Sequence, residues 1–127
     1  GGAGTDVGYA VARDARGRLV VAGYTDSYDY PVKNPPVSQS AEARGTEAFL
    51  TAIDPNTGGP GAVDYSALFG GRLGDVATAL TVGADGSTAV AGYTASADLT
   101  VSGGSAKQNA NGLKTTFFFL LKPDVAP

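Results

Sequence analysis

The sequence predicts an all-β fold of stacked antiparallel sheets, and three observations carry that prediction. The first is composition: 127 residues, 43% hydrophobic and 17% charged, with 19 glycines scattered among short apolar runs. Such a pattern describes a globular chain with many turns joining many strands. The second is an internal repeat. Residues 1–32 align without a gap on residues 70–101, and fifteen of the 32 positions are identical: Gly1, Gly2, Asp6, Val7, Ala10, Ala15, Gly17, Val21 to Thr25, Ser27, Asp29 and Val32. The pentapeptide VAGYT therefore occurs twice, at Val21 to Thr25 and at Val90 to Thr94. After a one-residue deletion the match resumes, EAFLTAIDP at Glu47 to Pro55 corresponding to TTFFFLLKP at Thr115 to Pro123. The third observation is that the strand-like runs have no polar face.

Each unit of about 69 residues reads as a four-stranded antiparallel meander. In the first, Tyr9 to Arg13 and Arg18 to Tyr24 flank Asp14-Ala15-Arg16-Gly17, a polar turn ending in glycine, and so form a hairpin. Gly83-Ala84-Asp85-Gly86 stands at the same place in the second unit. Glu47 to Ile53 is the third strand. DPNTGGPG, Asp54 to Gly61, turns the chain, and Val63 to Phe69 is the fourth strand. The counterpart of this fourth strand in the second unit would lie beyond Pro127, so the second unit lacks its outermost strand.

The strand faces choose among architectures. In LVVAGY, Leu19, Val21 and Gly23 point one way and Val20, Ala22 and Tyr24 the other, so both sides are apolar; Phe117 to Leu121 behaves alike. A strand covered on both sides reads as such a continuous run, whereas a sandwich strand alternates with polar residues. Sheets stacked face to face around an axis, as in a β-propeller, meet this condition, with Ala22 and Gly23 small enough for crowding near the axis. The expected architecture is two blades, residues 1–69 and 70–127, the second incomplete. Two blades cannot close a ring of about four to eight, and alone they would leave broad apolar faces in water. The chain is expected to be part of a larger propeller, completed by flanking sequence or by other chains.

The pattern GG…D…GYAVARDARGRLVVAGYTDSYDYP, then EAFLTAIDP and DYSALFGG, resembles the bacterial seven-bladed β-propeller (SBBP-type) repeat family. The likeness covers nearly the whole chain. It is looser in the second unit, where Leu99-Thr100 replaces Tyr30-Pro31 and Gly83 replaces Asp14. What the resemblance implies is the fold and a bacterial secreted or cell-envelope setting, extracellular or periplasmic, rather than a biochemical activity.

Several function classes lose their chemistry. No cysteine and no histidine are present, which removes thiol nucleophiles, imidazole bases and the usual zinc sites. The net charge of −3 comes without a block of either sign, so nothing marks a nucleic-acid or anionic-membrane surface. The longest apolar run, Phe117 to Leu121, is far short of a membrane span. The absence of methionine points to a processed product or a piece of a longer protein. No cofactor is expected, and no enzyme.

The candidate sites lie on the long connections Asp26 to Thr46 and Ala95 to Lys114. Tyr24, Tyr28 and Tyr30, with Asp26 and Asp29, and in the second unit Tyr93 and Asp98, bring flat apolar rings and hydroxyls beside carboxylates. That set suits a protein-binding or polysaccharide-binding groove; the competing expectation is that the rings cover their own blade. Asp6 with Asp75, and Asp29 with Asp98, hold matching positions. Calcium ligation would use their oxygens, but repetition favours carboxylates that accept backbone N–H groups in a turn rebuilt in every unit. GGAGTDVG lacks the lysine and the following helix of a phosphate loop and reads as a turn between units. The leading expectation is a non-enzymatic scaffold or protein-interaction module, and the contrasting one a carbohydrate-binding or carbohydrate-active propeller.

Overall fold

A computed structural model describes residues 1–34, 45–96 and 115–121. These residues form seven strands: β1 (Asp6–Arg13), β2 (Leu19–Thr25), β3 (Glu47–Ile53), β4 (Val63–Phe69), β5 (Asp75–Val82), β6 (Thr88–Thr94) and β7 (Thr115–Leu121). They make two antiparallel sheets, one of four strands in the order β1-β2-β3-β4 and one of three in the order β5-β6-β7. No described helix is long and apolar enough to cross a membrane.

The third and fourth strands have the bounds expected from the sequence. The first two differ. β1 starts at Asp6 rather than Tyr9 because Asp6 already pairs with Thr25, and β2 starts at Leu19 rather than Arg18. Arg18 belongs to the turn: the Asp14 carboxylate accepts its backbone N–H at 2.9 Å and that of Arg16 at 3.0 Å. Gly17 closes this turn at φ 82° and Gly86 closes its counterpart at φ 87°, a conformation that a Cβ disfavours. With Gly83 in place of Asp14, the second turn moves its carboxylate two positions on, and Asp85 accepts the Ser87 N–H at 2.9 Å. The Asp54 to Gly61 connection runs into a short 3-10 turn, Gly59–Ala62.

Each first strand carries a bulge at the same place, between Gly8 and Ala10 in β1 and between Ala77 and Ala79 in β5. The glycine of each VAGYT faces it. A Cβ on Gly23 would overlap the Val7 carbonyl oxygen, and one on Gly92 the Val76 carbonyl oxygen. Close backbone approach at the bulge, repeated in both units, is therefore what holds glycine in the pentapeptide.

One hydrophobic core joins the sheets. From the first sheet it takes Val20 and Ala22 of β2, Leu50 and Ala52 of β3, and Ala67 and Phe69 of β4; from the second, Ala77, Val90, Phe117 and Leu121. Phe69 and Phe117 meet edge to face, their centroids 5.8 Å apart and their planes at 84°, the geometry that the ring quadrupole favours. The two sheets contribute opposite sides of the same repeat. Val90 aligns with Val21, not with Val20, so the second sheet lays on the core the side that the first sheet turns outward. The stack is front to back.

Candidate functional site

The carboxylates and hydroxyls that repeat between the units gather where each unit begins. In the first, the Asp6 carboxylate accepts the Gly2 N–H at 2.8 Å, the Thr25 hydroxyl, and the Ser27 hydroxyl at 3.1 Å. Thr25 in turn accepts the Ser27 N–H at 2.9 Å, and the Ser27 hydroxyl oxygen accepts the Gly4 N–H at 2.9 Å. The second unit rebuilds this network. Asp75 accepts the Gly71 N–H at 2.9 Å, the Thr94 hydroxyl, and the Ser96 hydroxyl at 3.1 Å. Ser96 donates its N–H to Thr94 and accepts that of Leu73, both at 2.9 Å. Hydrogen bonds to the ionised form, led by that of Thr25, hold the Asp6 carboxyl below the usual aspartate range against the opposing effect of burial.

Thr25 and Ser27, with Thr94 and Ser96, are not among the candidate site residues that the sequence singles out. Their signal was present: both positions are identical in the two units, and a hydroxyl two residues from another at a strand end is a ready backbone-turn former.

The candidate loop residues go to different places. Asp26 accepts the Thr5 N–H and Asp29 the Ala3 N–H, the latter at 2.7 Å, so both brace the glycine-rich opening turn. Tyr24 tilts against Tyr9 at 5.9 Å between centroids. Tyr30 stacks on Phe49 at 5.0 Å, and its hydroxyl lies 2.9 Å from that of Thr51, which is itself bonded to Ser66. Burial raises the Tyr30 phenol above its ordinary range despite the Thr51 hydrogen bond. Lys33 then pins the segment by exchanging backbone bonds with Ser66 of β4, at 3.1 and 2.7 Å. Tyr28 points to water, 93% exposed, and Tyr93 is half-buried. Asp98, Leu99 and Thr100 lie outside the described residues, as do residues 35–44 and 101–114 of the long connections. Tyr30 and Tyr24 thus lie against their own sheet, whereas Tyr28 is exposed.

A second polar cluster lies at the opposite end of the first sheet. Arg18 bridges Asp14, at 2.7 Å, and Asp64, with its guanidinium 5.3 Å from the centroid of the Tyr65 ring. Burial disfavours the Asp14 carboxylate, but the hydrogen bonds and charge of Arg18 outweigh it and the carboxyl is held low. Among the described residues, no group of three or more His, Cys, Asp or Glu side chains is placed to hold a metal ion.

No protein-family model matches the chain, and neither does any curated protein or any solved structure.

Proposed function

We propose that the chain is a non-enzymatic β-propeller repeat module, blades 1–69 and 70–127, that serves as a structural scaffold or protein-interaction surface. The observation that carries this reading is the front-to-back stack of two sheets of one repeat, in which Val20 and Ala22 of the first lie in one core with Val90 and Phe117 of the second. Stacking of that kind presents a fresh copy of the same surface at its end and is continued by addition of like units. Further blades, or a protein partner that replaces them, are the partners it calls for. The absence of histidine and cysteine, and the use of Asp6, Asp26 and Asp29 as turn acceptors, support a role without catalysis. The likeness to the bacterial repeat family supports a place in a secreted or cell-envelope protein.

Small-angle scattering of covalent tandem repeats of the chain tests the propeller. A ring stops growing in maximum dimension once about four to eight blades are joined. A maximum dimension that rises in proportion to copy number beyond that point would instead mean a linear solenoid.

A further inference from the structure

At four pairs of equivalent positions the exposure differs between the two units, and the difference follows the neighbouring sheet, whereas Phe49 and Phe117 are both buried, Phe49 beneath Tyr30. Leu50 and Ala52 of β3 are 0% exposed beneath the second sheet, whereas their equivalents Phe118 and Leu120 of β7 are 52% and 41% exposed. The reverse holds on the other side. Val11 and Leu19 are 64% and 38% exposed, while Leu80 and Thr88, which align with them, pack at the core or are buried. The register puts Val11 opposite Val21 and Leu19 opposite Arg13, so Val11, Leu19 and Val21 share one face of the first sheet. Likewise Ala89 pairs with Leu120 and Ala91 with Phe118, which places these four on one face of the second.

We propose that a second copy of this chain docks head to tail, the Phe118 and Leu120 face of one copy receiving the Val11, Leu19 and Val21 face of the next. The two exposed patches are the two halves of an interface that the chain already makes once within itself, with Tyr30 covering Phe49 beside the Val11, Leu19 and Val21 patch, so this contact continues the established stack. The occupant is read from that internal template: the surface that the first sheet offers to Val90 is repeated by Ala89, Ala91 and Phe118, and the surface that covers it is repeated by Val11, Leu19 and Val21. Such a contact is heterologous, because each face meets the other rather than itself, and it generates rings or filaments instead of a closed two-fold dimer. The proposal rests on the repeat-module reading, but that reading is tested on covalently joined units and does not need separate chains to associate.

Native mass spectrometry and light scattering over a concentration series supply the test, with Phe118→Asp and Val11→Asp as the two probes. Both residues are exposed in the single chain, so circular dichroism of each variant should match the parent; should either substitution unfold the chain, Leu120→Arg and Leu19→Arg replace them. The parent is expected to rise with concentration through integer multiples of 12.6 kDa. Each variant alone is expected to remain at the monomer mass, because every head-to-tail contact needs one face of each kind. An equimolar mixture of the two is expected to form a dimer and stop there, since one partner retains an intact first-sheet face and the other an intact second-sheet face. A parent that stays monomeric throughout overturns the proposal. So does a parent whose association survives either substitution, or a mixture that forms no dimer.

Discussion

Replacing Gly23 by alanine should destabilise the protein, although glycine to alanine in a strand ordinarily does the opposite. Reduced freedom of the unfolded chain favours alanine by about 0.4–1 kcal/mol where the native backbone accepts it. At Gly23 it does not. The added Cβ would overlap the Val7 carbonyl oxygen and lie 2.9 Å from the Gly8 Cα, both backbone atoms of the bulged strand, so no side-chain rotation relieves it. Overpacking of this kind costs about 1–3 kcal/mol, and the net effect is a loss of roughly 1–2 kcal/mol. Gly58 is the internal control: its φ is −94° and a Cβ there meets nothing within 4 Å. Gly58→Ala should be neutral or stabilising by about 0.4–1 kcal/mol. Urea unfolding of both variants, compared at constant m-value, measures the difference. A Gly23→Ala variant as stable as the parent would refute the close-approach account of the pentapeptide.

Three further outcomes are expected. Gly92→Ala should behave like Gly23→Ala, because the Val76 carbonyl oxygen stands where that of Val7 does; urea unfolding again reads it. Thr94→Val should cost more than Thr25→Val, about 1–3 kcal/mol for the former. Asp75, which accepts the Thr94 hydroxyl, is fully buried, whereas Asp6 retains access to water; thermal unfolding of the two variants compares them. Stability should also fall in acid. Asp6 and Asp14 are held below the ordinary aspartate range in the folded protein, so their contribution is complete above the unfolded value and is lost as pH drops through the folded one. Unfolding free energy followed below about pH 4 should decline, and Asp6→Asn should lessen the slope.

The repeat made most of the fold legible. Two copies of one pattern, one turn glycine at Gly17 and Gly86, and runs such as Leu19 to Tyr24 with no polar side specify antiparallel sheets apolar on both faces. The bulges were not legible, because Tyr9 and Thr78 differ and strand propensity does not reveal an unpaired residue; only the backbone geometry explains why glycine opposes them. Nor was the fate of the loop residues. Repetition at Asp98 favours turn acceptance for Asp29, but Asp26, which stands where the second unit has Ala95, carries no such signal, and its role depends on where the opening glycines fold back, a contact that joins Thr5 to Asp26 across the hairpin. Tyr30 was ambiguous in the same way until its ring could be placed against Phe49.

The front-to-back stacking of the two units is tested most directly by nuclear Overhauser contacts in selectively labelled protein. The account predicts cross-peaks between the rings of Phe69 and Phe117, whose centroids are 5.8 Å apart, and none between Phe118 and Leu50. Contacts from Phe118 to Leu50, with Phe117 free of Phe69, would mean that the second sheet packs through its other side and would contradict it.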